Sequence, residues 1–191
     1  MGSDIGTPRS VTVAGGKTSR CAVIFDRDGV LNIDHGYVGD VSRWEWVTGA
    51  RRAIRRLNEA GVLAIVATNQ SGVARGLFSE ADVAAVHVAM EADLAAAGAR
   101  VDAIYVCPFH PDAVDARWAH PDHPDRKPNP GMLLSALTDF SLEKAQVVMV
   151  GDQDRDLEAA ARAGVRGLMF TGGDLDAFVR REVLTLPGFG T

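Results

Sequence analysis

A short apolar run, Cys21-Ala22-Val23-Ile24-Phe25, ends abruptly on Asp26-Arg27-Asp28-Gly29. A run of that length bounded by a turn signal reads as a strand buried on both faces, the kind found inside a parallel sheet. Side chains alternate in direction along a strand, so carboxylates two residues apart point the same way. Asp26 and Asp28 therefore address one site at the carboxyl end of the strand, where open α/β sheets bind ligands. Like charges that close require a cation, a shared proton or solvent. This one segment sets both a fold class and a place for chemistry.

The rest of the chain repeats the pattern. Further strand-like runs are Val62–Ala67, Ala103–Cys107, Val147–Val150 and Gly167–Phe170. Helical stretches separate them. Residues 49–60 place Ala53, Ile54 and Leu57 on one face, with Gly61 as the stop. Ser79 caps a helix running to about Ala97, Asn129-Pro130 opens a third, and Asp154–Ala163 forms a fourth, closed by Gly164. Strands alternating with helices predict an α/β protein with three α/β/α layers around a doubly wound, mostly parallel sheet. The expected organisation is a flexible tail over 1–20, one domain over 21–182 and a C-terminal tail over 183–191.

Composition narrows the partners. In 191 residues the net charge is −5 and no long basic run occurs, which argues against nucleic acid. No segment reaches the roughly 20 apolar residues of a membrane span, and the first 20 lack the apolar stretch of a secretory signal. Cys21 and Cys107 sit in apolar runs and read as buried thiols of a reducing compartment. A cytoplasmic monomer acting on a small molecule is the expectation.

Four motifs fall at successive strand ends: Asp26–Gly29, Thr68-Asn69-Gln70-Ser71-Gly72, Arg126-Lys127-Pro128, and Gly151-Asp152-Gln153-Asp154-Arg155-Asp156. Together they hold what phosphoryl transfer needs. Asp26 can attack phosphorus to give an aspartyl-phosphate. Asp28 can protonate the leaving oxygen and then deprotonate water. The Thr68 hydroxyl can bind the transferring oxygens, and Lys127 supplies a point charge. Asp152 with Asp26 can hold Mg²⁺, a hard cation that takes oxygen ligands. Asp156, one turn further on, is placed to orient Lys127 or the metal's waters.

This ordered set resembles the haloacid dehalogenase (HAD) superfamily, whose phosphatases carry the four motifs on a three-layer fold. Asp26–Gly29, Asn32, Asp34-His35-Gly36-Tyr37, Thr68–Gly72, Ala74-Arg75-Gly76 and Arg126–Pro128 are similar to the branch acting on D-glycero-D-manno-heptose 1,7-bisphosphate, with histidinol phosphatases as near relatives. The resemblance runs from about Cys21 to Gly172. It implies that Asp26, Asp28 through its backbone carbonyl, and Asp152 bind Mg²⁺. It also implies that Asp34, His35, Gly36, Tyr37, Asn69, Gln70, Ser71 and Arg126 meet a phosphorylated sugar, and that no large cap domain covers the site. The expected reaction is removal of the 7-phosphate. Histidinol phosphate is the rival substrate, dehalogenation a rival chemistry, and a non-catalytic phosphate-binding module the rival of another class. Dehalogenation has no use for Asp28 as acid or for Asp152 with Mg²⁺, and a binding module has no use for nucleophile and acid together.

Two departures from the family pattern stand out. Gln153 replaces a common lysine. The family's zinc site, Cys-x-His followed by Cys-x-Cys, keeps Cys107 but has Phe109, His123 and Asp125 at the other positions. Cys107, His110, His120 and His123 offer a rearranged set of Zn²⁺ ligands. The loop over 108–128 also carries prolines at 108, 111, 121, 124 and 128, which stiffen it without metal. The expectation is a zinc-free loop packed around Phe109 and Trp118.

Overall fold

A computed structural model describes residues 20–190. The expected N-terminal tail lies outside the described residues except for Arg20.

Five parallel strands form one sheet: β1 (Ala22–Phe25), β2 (Leu63–Asn69), β3 (Ala103–Cys107), β4 (Val147–Gly151) and β5 (Arg166–Met169), in the order β3-β2-β1-β4-β5. The chain winds outward from β1 through β2 to β3, then crosses back to β4 on the other side of β1. The switch point therefore lies between β1 and β4, where neighbouring crossovers leave in opposite directions and a crevice opens at the carboxyl ends. Asp26 leaves β1 there, its N–H donating to Val150 O at 2.9 Å.

The helices are α1 (Ala50–Glu59), α2 (Glu80–Ala96), α3 (Gly131–Asp139), α4 (Asp154–Ala163) and α5 (Leu175–Phe178). α2 begins with a capping box between Ser79 and Asp82. The pleat of β1 divides the core. Val23 and Phe25 pack with Ile54 and Leu57 of α1, Met90 and Leu94 of α2, and Leu175 and Phe178 of α5. Ala22 and Ile24 pack on the opposite face with Leu133 and Ala136 of α3 and Ala160 of α4. This is the three-layer α/β/α arrangement expected from the sequence.

Two details differ from expectation. β2 runs to Asn69, so Thr68 and Asn69 are strand residues paired with Val106 and Cys107 instead of a following turn. Residues 183–190 are packed, not a tail: α5 continues as a single π turn over Val179–Val183, and Val183 and Phe189 are buried against the α1 face. The Cys21 thiol donates to Gly188 O at 3.1 Å. Apolar Leu184, Leu186 and Phe189 gain more from covering that face than the segment loses in chain entropy.

Candidate active site

The buried ends of β1, β2 and β4 bring the motifs together. Asp26 is buried, and its Oδ1 accepts from Arg27 N at 2.7 Å and pairs with Lys127 Nζ at 3.0 Å. Lys127 lies just ahead of α3, yet its side chain is also buried. Its ammonium reaches Asp156 Oδ1 at 2.8 Å and donates to Ala67 O at 2.8 Å. Three oxygen partners match the three donors of an ammonium, which makes burial of the charge tolerable. Burial pushes the Asp26 carboxyl up to about 6, against the pull of Lys127.

Asp28 has a different set of partners. Its carboxylate accepts from Arg27 Nη2 (2.9 Å to each oxygen), from Asn32 Nδ2 (2.9 Å) and from Gln70 Nε2 (2.8 Å). Thr68 is buried, and its Oγ1 accepts from Gln70 Nε2 at 2.8 Å.

The residues expected to meet substrate separate into two groups. Gln70 is buried and spent on Thr68, Asp28 and Arg27. Asn69 clamps the backbone of Lys127, donating to Lys127 O at 2.9 Å and accepting from Lys127 N at 3.1 Å. Both are therefore engaged with Arg27, Asp28, Thr68 and Lys127. Asp34, His35, Gly36 and Tyr37 are exposed on a loop held by local bonds, while Ser71 and Arg126 are half-buried. Asp34 Oδ1 accepts from Gly36 N at 2.8 Å. Arg43 donates to the carbonyls of His35 (2.7 Å), Gly36 (3.1 Å) and Tyr37 (3.2 Å). Arg126 donates to Phe109 O at 3.1 Å. Burial holds its guanidinium below the ordinary value, and the charges of Arg155 and Arg75 act in the same direction.

Carboxylate oxygens of Asp26, Asp152 and Asp156 lie within 4.8 Å of one another. Asp156 is already committed, with one oxygen on Lys127 and the other accepting from Gln153 N at 3.1 Å. Asp152 Oδ1 is buried with neither a hydrogen-bond partner nor an ion pair, whereas Asp156 Oδ1 has the Lys127 ammonium at 2.8 Å. An orphaned buried carboxylate oxygen beside a second carboxylate is a fit for a hard divalent cation. Gly29 makes the approach possible, because a Cβ there would stand 2.2 Å from Asp152 Oδ2, and its φ of +85° also disfavours any other residue.

The loop after β3 shows a pattern that the sequence reading passed over. His110-Pro-Asp112, His120-Pro-Asp122 and His123-Pro-Asp125 each place the imidazole Nδ1 as acceptor of the aspartate N–H, at 3.0, 3.1 and 3.2 Å. Phe109 stacks flat on His123 with centroids 3.8 Å apart and packs edge-on against Trp118. Burial pushes the Cys107 thiol up to about 11. Among the described residues, Cys107, His110, His120 and His123 do not converge as the three carboxylates do.

A curated protein of Rhodopseudomonas palustris, D-glycero-beta-D-manno-heptose-1,7-bisphosphate 7-phosphatase, is 42% identical over 168 residues, covering 87% of this chain and 92% of its own. The chain belongs to that phosphatase family. The family's enzyme from Escherichia coli K12 is 40% identical over 153 residues, covering 79% of this chain and 80% of its own. A HAD-hydrolase-like family model also matches residues 125–182. The crystal structure of the D,D-heptose 1,7-bisphosphate phosphatase from B. bronchiseptica, complexed with magnesium and phosphate, superposes with a TM-score of 0.71. It is 38% identical and covers 88% of this chain and 89% of its own.

Two residues of this family site escaped assignment from the sequence. Arg27 stood inside a quoted motif without a role, and His87 on α2 was one of several residues in an alanine-rich helix. His87 meets Arg27 only across the fold, and Arg27, although it also pairs with the adjacent Asp28, meets Val38, Gln70 and His87 the same way.

Proposed function

We propose that this chain is a Mg²⁺-dependent phosphomonoesterase that removes the 7-phosphate of D-glycero-β-D-manno-heptose 1,7-bisphosphate. The observation that carries the reading is the pairing of a buried carboxylate nucleophile, bridged by Lys127 to Asp156, with a second carboxylate held two residues further along.

Asp26 Oδ1 is occupied by Lys127 and the Arg27 amide, so Oδ2 is the oxygen to attack phosphorus in line with the departing sugar oxygen. Asp28 gives that oxygen a proton, then takes one from the water that cleaves the aspartyl-phosphate. Lys127 stays fixed while charge builds on the phosphoryl oxygens, because its other partners, Asp156 and Ala67 O, do not move with the reaction. Asp26, Asp152 and the Asp28 backbone carbonyl would hold Mg²⁺, which when bound neutralises the crowded carboxylates and polarises the phosphoryl group. Arg126, close enough to Arg75 and Arg155 to feel their charges, gathers positive potential for the phosphate that is retained. The exposed Asp34–Tyr37 loop would read the sugar.

The relatives' names support the heptose and its β anomer. A phosphate-release assay with Mg²⁺ over both heptose bisphosphate anomers, histidinol phosphate and common sugar phosphates tests the reading. The expected result is a preference for the β-heptose bisphosphate that vanishes in Asp26→Asn. A preference for histidinol phosphate would overturn the assigned substrate while keeping the chemistry. A cytoplasmic monomer belongs to the same reading, and sedimentation equilibrium checks the second half of it. Among the described residues no helix is long and apolar enough to cross a membrane.

A further inference from the structure

Arg27 lies between the nucleophile and the acid/base in sequence, yet its side chain is 0% exposed. A guanidinium is buried at a cost of several kcal/mol unless its donors are met. Here they are met from four parts of the fold. Nη2 reaches both Asp28 oxygens at 2.9 Å, Val38 O at 2.7 Å and Gln70 Oε1 at 3.1 Å. Nε reaches Asp28 Oδ1 at 3.3 Å, and Nη1 lies 3.3 Å from His87 Nε2. Val38 follows directly on the exposed Asp34–Tyr37 loop, Gln70 is the first residue after β2, and His87 is a buried residue of α2.

We propose that Arg27 is the positioning residue of the acid/base: it sets the Asp28 carboxylate relative to the substrate loop, and His87 sets Arg27. The inference rests on the phosphatase reading above. Arginine only donates, so His87 Nε2 is the acceptor and the ring proton sits on Nδ1. Burial and the Arg27 charge hold this imidazole neutral, with its pKa pushed down to about 3. His87 thus acts as a fixed acceptor that turns the guanidinium fork in one direction. Nη2 carries two protons but faces four oxygens. When Asp28 turns toward the leaving oxygen, Val38 O and Gln70 Oε1 keep the cation satisfied, so the acid/base can move without orphaning its buried partner.

The test separates acid catalysis from general damage by varying the leaving group. Nitrophenolate leaves from p-nitrophenyl phosphate without a proton, whereas the alkoxide of a sugar phosphate does not. Since kcat/KM reports steps up to formation of the phosphoenzyme, the ratio of kcat/KM for the sugar phosphate over that for p-nitrophenyl phosphate measures the acid. His87→Leu removes the acceptor and should lower this ratio roughly tenfold, a part of the 10²–10⁴ that general acid catalysis contributes. His87→Gln, which presents an oxygen near the position of Nε2, should restore most of it, and Arg27→Lys, which loses the planar fork, should lower it at least as far as His87→Leu. A ratio unchanged in His87→Leu, or equally low in His87→Gln and His87→Leu, overturns the proposal. Wild-type protein that hydrolyses neither ester overturns the phosphatase reading itself.

Discussion

The catalytic pocket and the Asp34–Tyr37 loop are held in opposite ways. In the pocket the two buried cations are tied to residues distant in sequence: Lys127 to Asp26, Ala67 and Asp156, and Arg27 to Val38, Gln70 and His87. In the loop, Asp34 bonds Gly36 and Arg43 bonds the three carbonyls of residues 35–37, all within ten residues and all exposed. Long-range buried bonds cannot be changed without disturbing several elements at once. Short-range exposed ones can be changed alone. On the proposed reading, the reaction is built on the interlocked part of the molecule and the choice of sugar on the part that tolerates change.

The comparison breaks most sharply at Asp26. Asp26→Asn keeps the side-chain volume and should retain normal circular dichroism while losing on the order of 10³-fold or more in kcat. A folded variant with substantial turnover would sink the nucleophile assignment.

Lys127→Met should damage fold and reaction together. It leaves Asp26 and Asp156 facing each other without their shared cation, and breaking a buried ion pair from one side costs about 3–5 kcal/mol. Urea denaturation should show the loss and steady-state kinetics a lower kcat. An exposed lysine would instead cost almost nothing in stability.

Cation binding gives a readout independent of activity. Mg²⁺ at about 100 times its dissociation constant should stabilise the wild type by about 2.7 kcal/mol, with little effect on Asp152→Asn. Thermal melts with and without Mg²⁺ decide this, and equal stabilisation of both proteins would remove Asp152 from the ligand set.

His87 makes the buried side pH-sensitive in a defined direction. Its pKa is pushed down to about 3 in the folded chain, against about 6.5 when unfolded, so below 6.5 the unfolded state binds more protons. Its contribution to stability is therefore complete above about 6.5 and declines as pH falls toward 3. His87→Gln should flatten the stability profile over that window. An unaltered slope in chemical denaturation would show that other groups account for it.

The smallest effect belongs to the loop. Arg43→Ala removes three exposed bonds, and should raise KM roughly three- to tenfold with kcat and melting temperature nearly unchanged. A fall in kcat without a change in KM would tie the loop to the chemistry and erase the contrast.

What the sequence by itself determined was whatever repeats locally or follows from strand geometry. The apolar run before Asp26 and the spacing of Asp26 and Asp28 placed a carboxylate pair at a strand end, and α4 was legible residue for residue from Asp154 to Ala163. The three His-Pro-Asp turns were passed over although they too are local, for each imidazole bonds only two residues along its own chain. Tertiary structure alone decided which polar side chains are buried. Arg27 and Gln70, both buried, and Asn69, half-buried, carry side chains that are ordinarily exposed, and Asn69 and Gln70 were expected to face substrate. They turn inward because acceptors and donors from β2, α2 and the segment ahead of α3 converge on them. Likewise residues 183–190 looked like a tail, since a short apolar segment shows its worth only when a vacant core face lies opposite. Periodicity is a property of the chain, whereas desolvation of a charge is tolerable only where partners distant in sequence meet it.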